Sequence, residues 1–147
     1  MSEEHRPSAP SPLERTRADA HSRCFCCGRE HPSGLKLEFQ ENGDGSVTAL
    51  FPCDSAFEGY PETLHGGVVA ALLDSAMTNC LFSRGIVAVT AELTVRFLGP
   101  VQLDHPVEAT AAVTRTRGRL YYLRAELTQG RTLTARAQAT FMKRSSR

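Results

Sequence analysis

From Val68 to Phe82 the chain reads V-V-A-A-L-L-D-S-A-M-T-N-C-L-F. Apolar residues run almost all the way round this segment, so a helix here belongs inside the protein and not on its surface. The rest of the chain must then form a wall around it. One carboxylate, Asp74, interrupts the run, and the turn His65-Gly66-Gly67 precedes it. A lone carboxylate in such surroundings is costly unless it is partnered or put to use. At about 100° per residue, Gly67, Ala70, Ala71, Asp74, Thr78 and Leu81 share one side of the helix, with Val69, Leu72, Leu73, Ala76 and Cys80 opposite. The bulky side is expected to pack on the wall. The small residues around Asp74 leave room for a ligand or a second helix, and Arg84-Gly85 marks the C-terminus.

The wall reads as strands. Leu35 to Gln40 alternates with period two, as does Val47 to Phe51, with Asn42-Gly43-Asp44-Gly45 between them as the turn of a hairpin. Pro52 and the stretch Cys53–Leu64, with Gly59 and Pro61, read as a loop into the helix. After the helix, Val87 to Phe97 is the longest clean alternation. Val107 to Val113, Tyr121 to Leu127 and Leu133 to Phe141 follow, with a basic turn Arg115-Thr116-Arg117-Gly118-Arg119 and a second turn at Gln129-Gly130. Consecutive strands joined by turns argue for an antiparallel sheet, and alanine at inward positions lets a helix approach closely. The expected fold class is α+β: about six antiparallel strands wrapped around one long helix.

With 147 residues the chain has the length of one domain with a core of its own. Residues 1–23, rich in Pro, Ser, Glu and Arg, read as a flexible tail. Residues 24–142 form the domain, and 143–147 a C-terminal tail. A formal net charge of +1 lacks the basic footprint of a nucleic-acid binder. No apolar run is long enough to cross a bilayer, so no membrane partner is expected. The five cysteines are odd in number, with Cys24, Cys26 and Cys27 crowded together, a layout suited to a reducing cytoplasm and not to a disulfide framework. The C-x-x-C spacing at Cys24 and Cys27, with His21 and His31 nearby, raises a metal site. Tetrahedral zinc usually draws a second ligand pair, and Cys53 and Cys80 stand isolated in apolar segments. A packed loop with free thiols is the reading, with no metal or other cofactor.

The chemistry gathers at the glycines. A helix N-terminus offers unpaired N–H groups and a partial positive charge, and glycines let a substrate oxygen come close. Gly67 and Asp74 are seven residues apart, so about 10 Å separates them along the axis. One carbonyl cannot touch both. If the two act together, the second partner comes from another copy of the helix, antiparallel across a two-fold axis. His65 has two readings, a general base or a brace for the loop. Thr78 orients the carboxylate or bonds back to the helix.

The run His65-Gly66-Gly67, with an acid nine residues after the histidine, followed by A-V-T-A-E-L-T-V-R-F-L-G-P-V from Ala88 to Val101, resembles the hotdog-fold acyl-CoA thioesterases of the 4-hydroxybenzoyl-CoA and phenylacetyl-CoA thioesterase type. The resemblance covers residues 24–142, including Cys-Phe-x-Cys-Gly at its start and Gly-Leu-x-Leu at Gly34–Leu37. It implies a hotdog fold and hydrolysis of an acyl-CoA to CoA and a carboxylic acid. By motif, the Gly66 amide polarises the thioester carbonyl, Asp74 of a partner subunit acts as base or nucleophile, and Thr90 helps place the attacking water. Gly59 stands where some relatives carry asparagine, and Glu62 where glycine is expected; Tyr60 or Glu62 then takes over part of the water placement. Arg115, Arg117 and Arg119 are candidates for the CoA phosphates. The resemblance also implies a homodimer or a homotetramer built as a dimer of dimers. The rival readings are an acyl-CoA binding module without turnover and an acyl-thioester hydratase or dehydratase; the latter is disfavoured because no Asp-x-Asn-x-x-His run is present.

Overall fold

The computed structural model describes residues 8–145. The apolar run forms the long helix that its composition demands: helix α2 spans Gly66–Phe82, after helix α1 at Pro12–His21. Val69, Leu72, Leu73, Ala76, Met77 and Cys80 are at most 3% exposed. Gly85 closes the C-terminus at φ +70°, a conformation that glycine adopts without steric cost.

The strands are β1 Gln40–Glu41, β2 Val47–Phe51, β3 Ala88–Phe97, β4 Val107–Arg117, β5 Leu120–Gln129 and β6 Thr132–Lys143. They make one sheet in the order β1-β2-β4-β5-β6-β3, antiparallel throughout. Because β3 follows α2 in the chain yet pairs with β6, the connection from β2 carries the helix across the concave face. Ala109, Ala111, Ala125, Ala135, Ala137 and Ala139 are buried on that face. Small side chains there let the backbone of α2 sit close, and Leu72, Leu73 and Met77 fill the space between. Truncating Leu72 to alanine is expected to cost about 2–5 kcal/mol, the range for emptying a packed leucine site.

Two expectations are corrected. The first strand of the hairpin shrinks to Gln40–Glu41, paired with Thr48 and Val47. The Leu35 and Leu37 amides bond instead to the carbonyls of Phe25 and Cys26 (2.8 and 2.9 Å), and Lys36 takes a left-handed φ of +55° that breaks an extended ladder. Alternation still predicted burial correctly, since Leu35, Leu37 and Phe39 lie inside. The segment expected to be a tail is the second correction. Ser11 caps α1 by accepting from the Glu14 amide (3.2 Å), with Pro12 in the first turn. Leu13 and Arg17 are buried, and the His21 ring meets Phe82 edge-on at 4.9 Å. Composition describes what a segment buries alone; α1 is ordered by what it packs against. Residues 1–7 of the expected tail lie outside the described residues. At the other end Lys143 belongs to β6, the Arg144 amide bonds to the Val87 carbonyl at 3.1 Å, and residues 146–147 lie outside the described part. Among the described residues no helix is long and apolar enough to cross a membrane.

Candidate active site

Strict alternation along β3 places Thr90 with Ala88, Glu92, Thr94 and Arg96, opposite the apolar set. The structure breaks that phase. Thr90 pairs with Phe141 but Glu92 pairs with Thr140, so Ala91 is an inserted residue, a β-bulge. Beyond the bulge Leu93 and Val95 are partly buried against the core. Before it Ala88 is buried while Val89 is 51% exposed. The bulge therefore turns Thr90 toward the helix, where its hydroxyl donates to Asp74 Oδ1 at 2.7 Å. A hydrogen bond to a carboxylate contributes about 1.5–3 kcal/mol and fixes which oxygen of Asp74 stays free. Thr78 takes the other course open to it, donating to the Asp74 backbone carbonyl at 3.0 Å.

At the N-terminus of α2, His65 is the capping residue: its Nδ1 accepts from the Gly67 amide at 2.8 Å. The ring proton then sits on Nε2, and Nδ1 is occupied. Of the two readings of His65, the structure displays the brace. The Val68 and Val69 amides bond to the His65 carbonyl (2.9 and 3.1 Å). Gly67, expected to face substrate, spends its amide on the cap. The Gly66 amide has no acceptor among the described residues, and Gly66 is exposed, with Phe97 the neighbour that a side chain there would meet at 3.6 Å.

The loop before the helix accounts for both departures from the family pattern. A Cβ at Gly59 would come within 3.0 Å of His65 Cα, so that position has no room for a side chain without shifting the cap. The Thr63 amide bonds to the Tyr60 carbonyl at 2.9 Å, closing a turn with Pro61 second and Glu62 third, and Glu62 has φ +62°. A type II turn favours glycine at that third position, and Glu62 occupies it under strain. The Tyr60 ring is 85% exposed.

The arginines at the β4–β5 turn are all exposed. Arg115 lies 5.6 Å over the Tyr122 ring, and Arg119 donates to the Lys143 carbonyl at 2.8 Å. Cross-strand pairing runs Thr90–Phe141–Tyr121–Thr116, so the basic turn stands on the same row as Thr90, three strands away or about 14 Å. Depressions of about 460 and 380 Å³ occur on the sheet's outer face, lined by Thr94, Arg124 and Gln138 among others; neither is lined by Gly66 or Asp74.

Near Asp74 pass residues of the N-terminal loop. The Cys26 thiol points at the Ala71 carbonyl (3.9 Å). Burial, helped by the neighbouring thiols and by Asp74, pushes Cys26 up to about 12, and burial lifts Cys27 to about 11. Neither is a thiolate at neutral pH, so Asp74 is the nearby group equipped to act as base or nucleophile. His21 is held below its ordinary value by burial, against the opposing pull of the Asp74 charge. His31 is drawn elsewhere, accepting from the Ser33 amide at 3.1 Å and packing on Phe25.

The thioesterase superfamily matches residues 62–136, a span that contains Gly66, Asp74 and Thr90. The chain is 29% identical over 120 residues to the acyl-coenzyme A thioesterase THEM4 of Rattus norvegicus, covering 78% of this chain and 52% of that protein. The chain thus spans about half the length of the curated relatives it matches. Among solved structures, a mutant of the phenylacetic acid degradation protein PaaI from Thermus thermophilus superposes with a TM-score of 0.68 at 24% identity, over 75% of this chain and 95% of that one. The Streptococcus mutans protein smu.793, solved bound to acetyl CoA, superposes with a TM-score of 0.72 at 18% identity, over 81% and 97%.

Proposed function

Given that the chain belongs to the thioesterase superfamily, we propose that it hydrolyses an acyl-CoA at a site shared by two copies of α2. One copy contributes the Gly66 amide and the other contributes Asp74 with Thr90. The observation that carries this reading is the Thr90–Asp74 hydrogen bond of 2.7 Å, set on the same helix as an open Gly66 amide but eight residues from it. Eight residues of helix are about 12 Å. A thioester carbonyl seated on Gly66 therefore meets the Asp74 of an antiparallel neighbour and not its own.

In the base mechanism Asp74 takes a proton from water as the water oxygen bonds to the carbonyl carbon. Negative charge moves onto the carbonyl oxygen, where the Gly66 amide and the positive end of α2 stabilise it. Collapse breaks the C–S bond, and the CoA thiolate leaves and takes up a proton. In the nucleophile mechanism Asp74 itself bonds to the carbon, expelling the thiolate, and water then opens the anhydride. Label in the Asp74 carboxylate after a single turnover in heavy-oxygen water identifies the second course with water opening the anhydride at the Asp74 carbon, and chemical trapping of the acyl–Asp74 anhydride detects that course whichever carbonyl the water attacks. Thr90 serves either course by holding one oxygen of Asp74 and leaving the other to act. His65 shapes the turn that presents Gly66, and Gly67 and Thr78 hold the helix that carries the site.

CoA as the thiol carrier is supported by the rat thioesterase and by the acetyl CoA bound to smu.793. Arg115, Arg117 and Arg119 offer charge for its phosphates at the strand end that carries Thr90. The free cysteines fit a reducing, cytoplasmic setting, and a homodimer or dimer of dimers supplies the second helix. Thiol release across a panel of acyl-CoAs tests the reading: turnover of at least one class is expected. Tight binding without thiol release would make the protein a binding module, and a new C–C double bond or hydroxyl in the product would make it a hydratase or dehydratase.

A further inference from the structure

The N-terminal cysteines gain a partner that lies outside the C-x-x-C spacing. The end of α1 turns back so that a ring nitrogen of His21 and the Sγ atoms of Cys24 and Cys27 all lie within 4.8 Å of one another. His21 Nδ1 and Cys27 Sγ are 3.6 Å apart. A tetrahedral zinc ion with Zn–S of about 2.3 Å and Zn–N of about 2.0 Å holds a sulfur and a nitrogen about 3.6 Å apart. The spacing thus suits two ligands of one metal.

The turn has the build of a thiolate knuckle. The Cys26 amide donates to Cys24 Sγ at 3.3 Å, a bond that strengthens when the sulfur carries charge. The Gly28 amide closes the turn on the Cys24 carbonyl at 2.9 Å, and a Cβ at Gly28 would stand 2.3 Å from the Cys24 nitrogen, so only glycine fits. A second feature comes from α2. Asn79 is fully buried, donates through Nδ2 to the Ser75 carbonyl at 2.9 Å, and leaves its Oδ1 with no hydrogen-bond partner among the described residues. A buried acceptor left without a donor is rare in a folded chain. The buried Arg17 guanidinium donates to the Cys27 carbonyl at 3.4 Å and so ties α1 to the turn.

We propose that His21, Cys24 and Cys27 bind a zinc ion through Nδ1 and two sulfurs, pinning α1 and the Cys24–Gly28 turn onto α2. Binding forms one Zn–N and two Zn–S bonds, releases two thiol protons to solvent, changes no oxidation state, and leaves the fourth position to water. One imidazole and two thiolates select zinc over calcium, magnesium or manganese. The site is separate from Gly66, though His21 feels the Asp74 charge, and the assignment stands whether or not the thioesterase reading holds.

Cobalt(II) titrated into the reduced, metal-depleted full chain tests this directly, because cobalt–thiolate bonds absorb in the near ultraviolet. One equivalent is expected to bind with that band, zinc is expected to displace it, and two protons are expected to appear in weakly buffered solution. Cys24→Ser is expected to remove most of the band and weaken binding at least tenfold, while Cys26→Ser keeps both. Should Cys24→Ser fail to fold, His21→Gln carries the same expectation. No charge-transfer band in the wild-type chain, an unchanged band in Cys24→Ser and His21→Gln, or equal loss in Cys26→Ser would each overturn the assignment. So would a Cys24–Cys27 disulfide that forms equally fast with and without zinc.

Discussion

The sheet has two edges, and they are built for opposite purposes. At one, β1 is two residues long, and so short a strand gives another chain little to pair with. At the other, β3 runs ten residues, with Val89 51% and Phe97 56% exposed. Protection on that side is partial, limited to the bulge at Ala91 and the exposed Glu92 and Arg96, and the proposed chemistry is concentrated there: Thr90 lies in the strand, Phe97 beside Gly66, and Asp74 behind it. A long edge with Val89 and Phe97 exposed, beside a catalytic set split along the helix, suits the proposed shared site. The contrast supports the proposal that the longer edge is the interface, and that proposal can be attacked at several points.

The largest effect is expected from Asp74→Asn, which leaves the edge intact and removes the acid. Turnover should fall on the order of 10²–10⁴-fold, with circular dichroism and oligomeric state unchanged; full activity would remove Asp74 from the mechanism. Charging the edge comes next. Val89→Asp with Phe97→Asp should shift the chain to monomers in sedimentation and lower turnover at least tenfold, whereas Leu50→Asp, at an exposed position on β2, should change neither. A fully active monomer would break the comparison. Arg117→Ala is expected to raise KM a few-fold with kcat nearly constant, as loss of uniform binding does; an unchanged KM across Arg115, Arg117 and Arg119 places the phosphates elsewhere. The smallest effect belongs to the loop that leads to the helix. Glu62→Gly should relieve a left-handed residue worth about 1 kcal/mol and raise Tm by about 2–4 °C, read by calorimetry, while a lower Tm would show that Glu62 makes a compensating contact.

Much of this was legible in the residues. Hydrophobic period alone located α2 and most strand cores, because burial of one helix face or one strand face leaves a local mark that needs no knowledge of neighbours. The His65-Gly66-Gly67 run and Asp74 stood out for the same reason. Leu35–Phe39 shows the limit: alternation predicted which side chains are buried, but the backbone amides went to the Phe25–Cys26 loop and no strand formed. Thr90 was found by resemblance and not by pattern, since strict alternation points it away from the helix.

The composition of Val68–Phe82 by itself determined that this protein is a sheet around a helix, and that the helix carries one acid behind a glycine turn. Tertiary structure decided the rest. The bulge at Ala91 depends on register with β6, and without it Thr90 would not reach Asp74. Helix α1 is ordered by the surface it packs on, and only that packing brings His21 to Cys24 and Cys27. Local periodicity reports the environment of a single element; a bulge, a docked helix and a ligand cluster each depend on a second element whose position no local pattern contains.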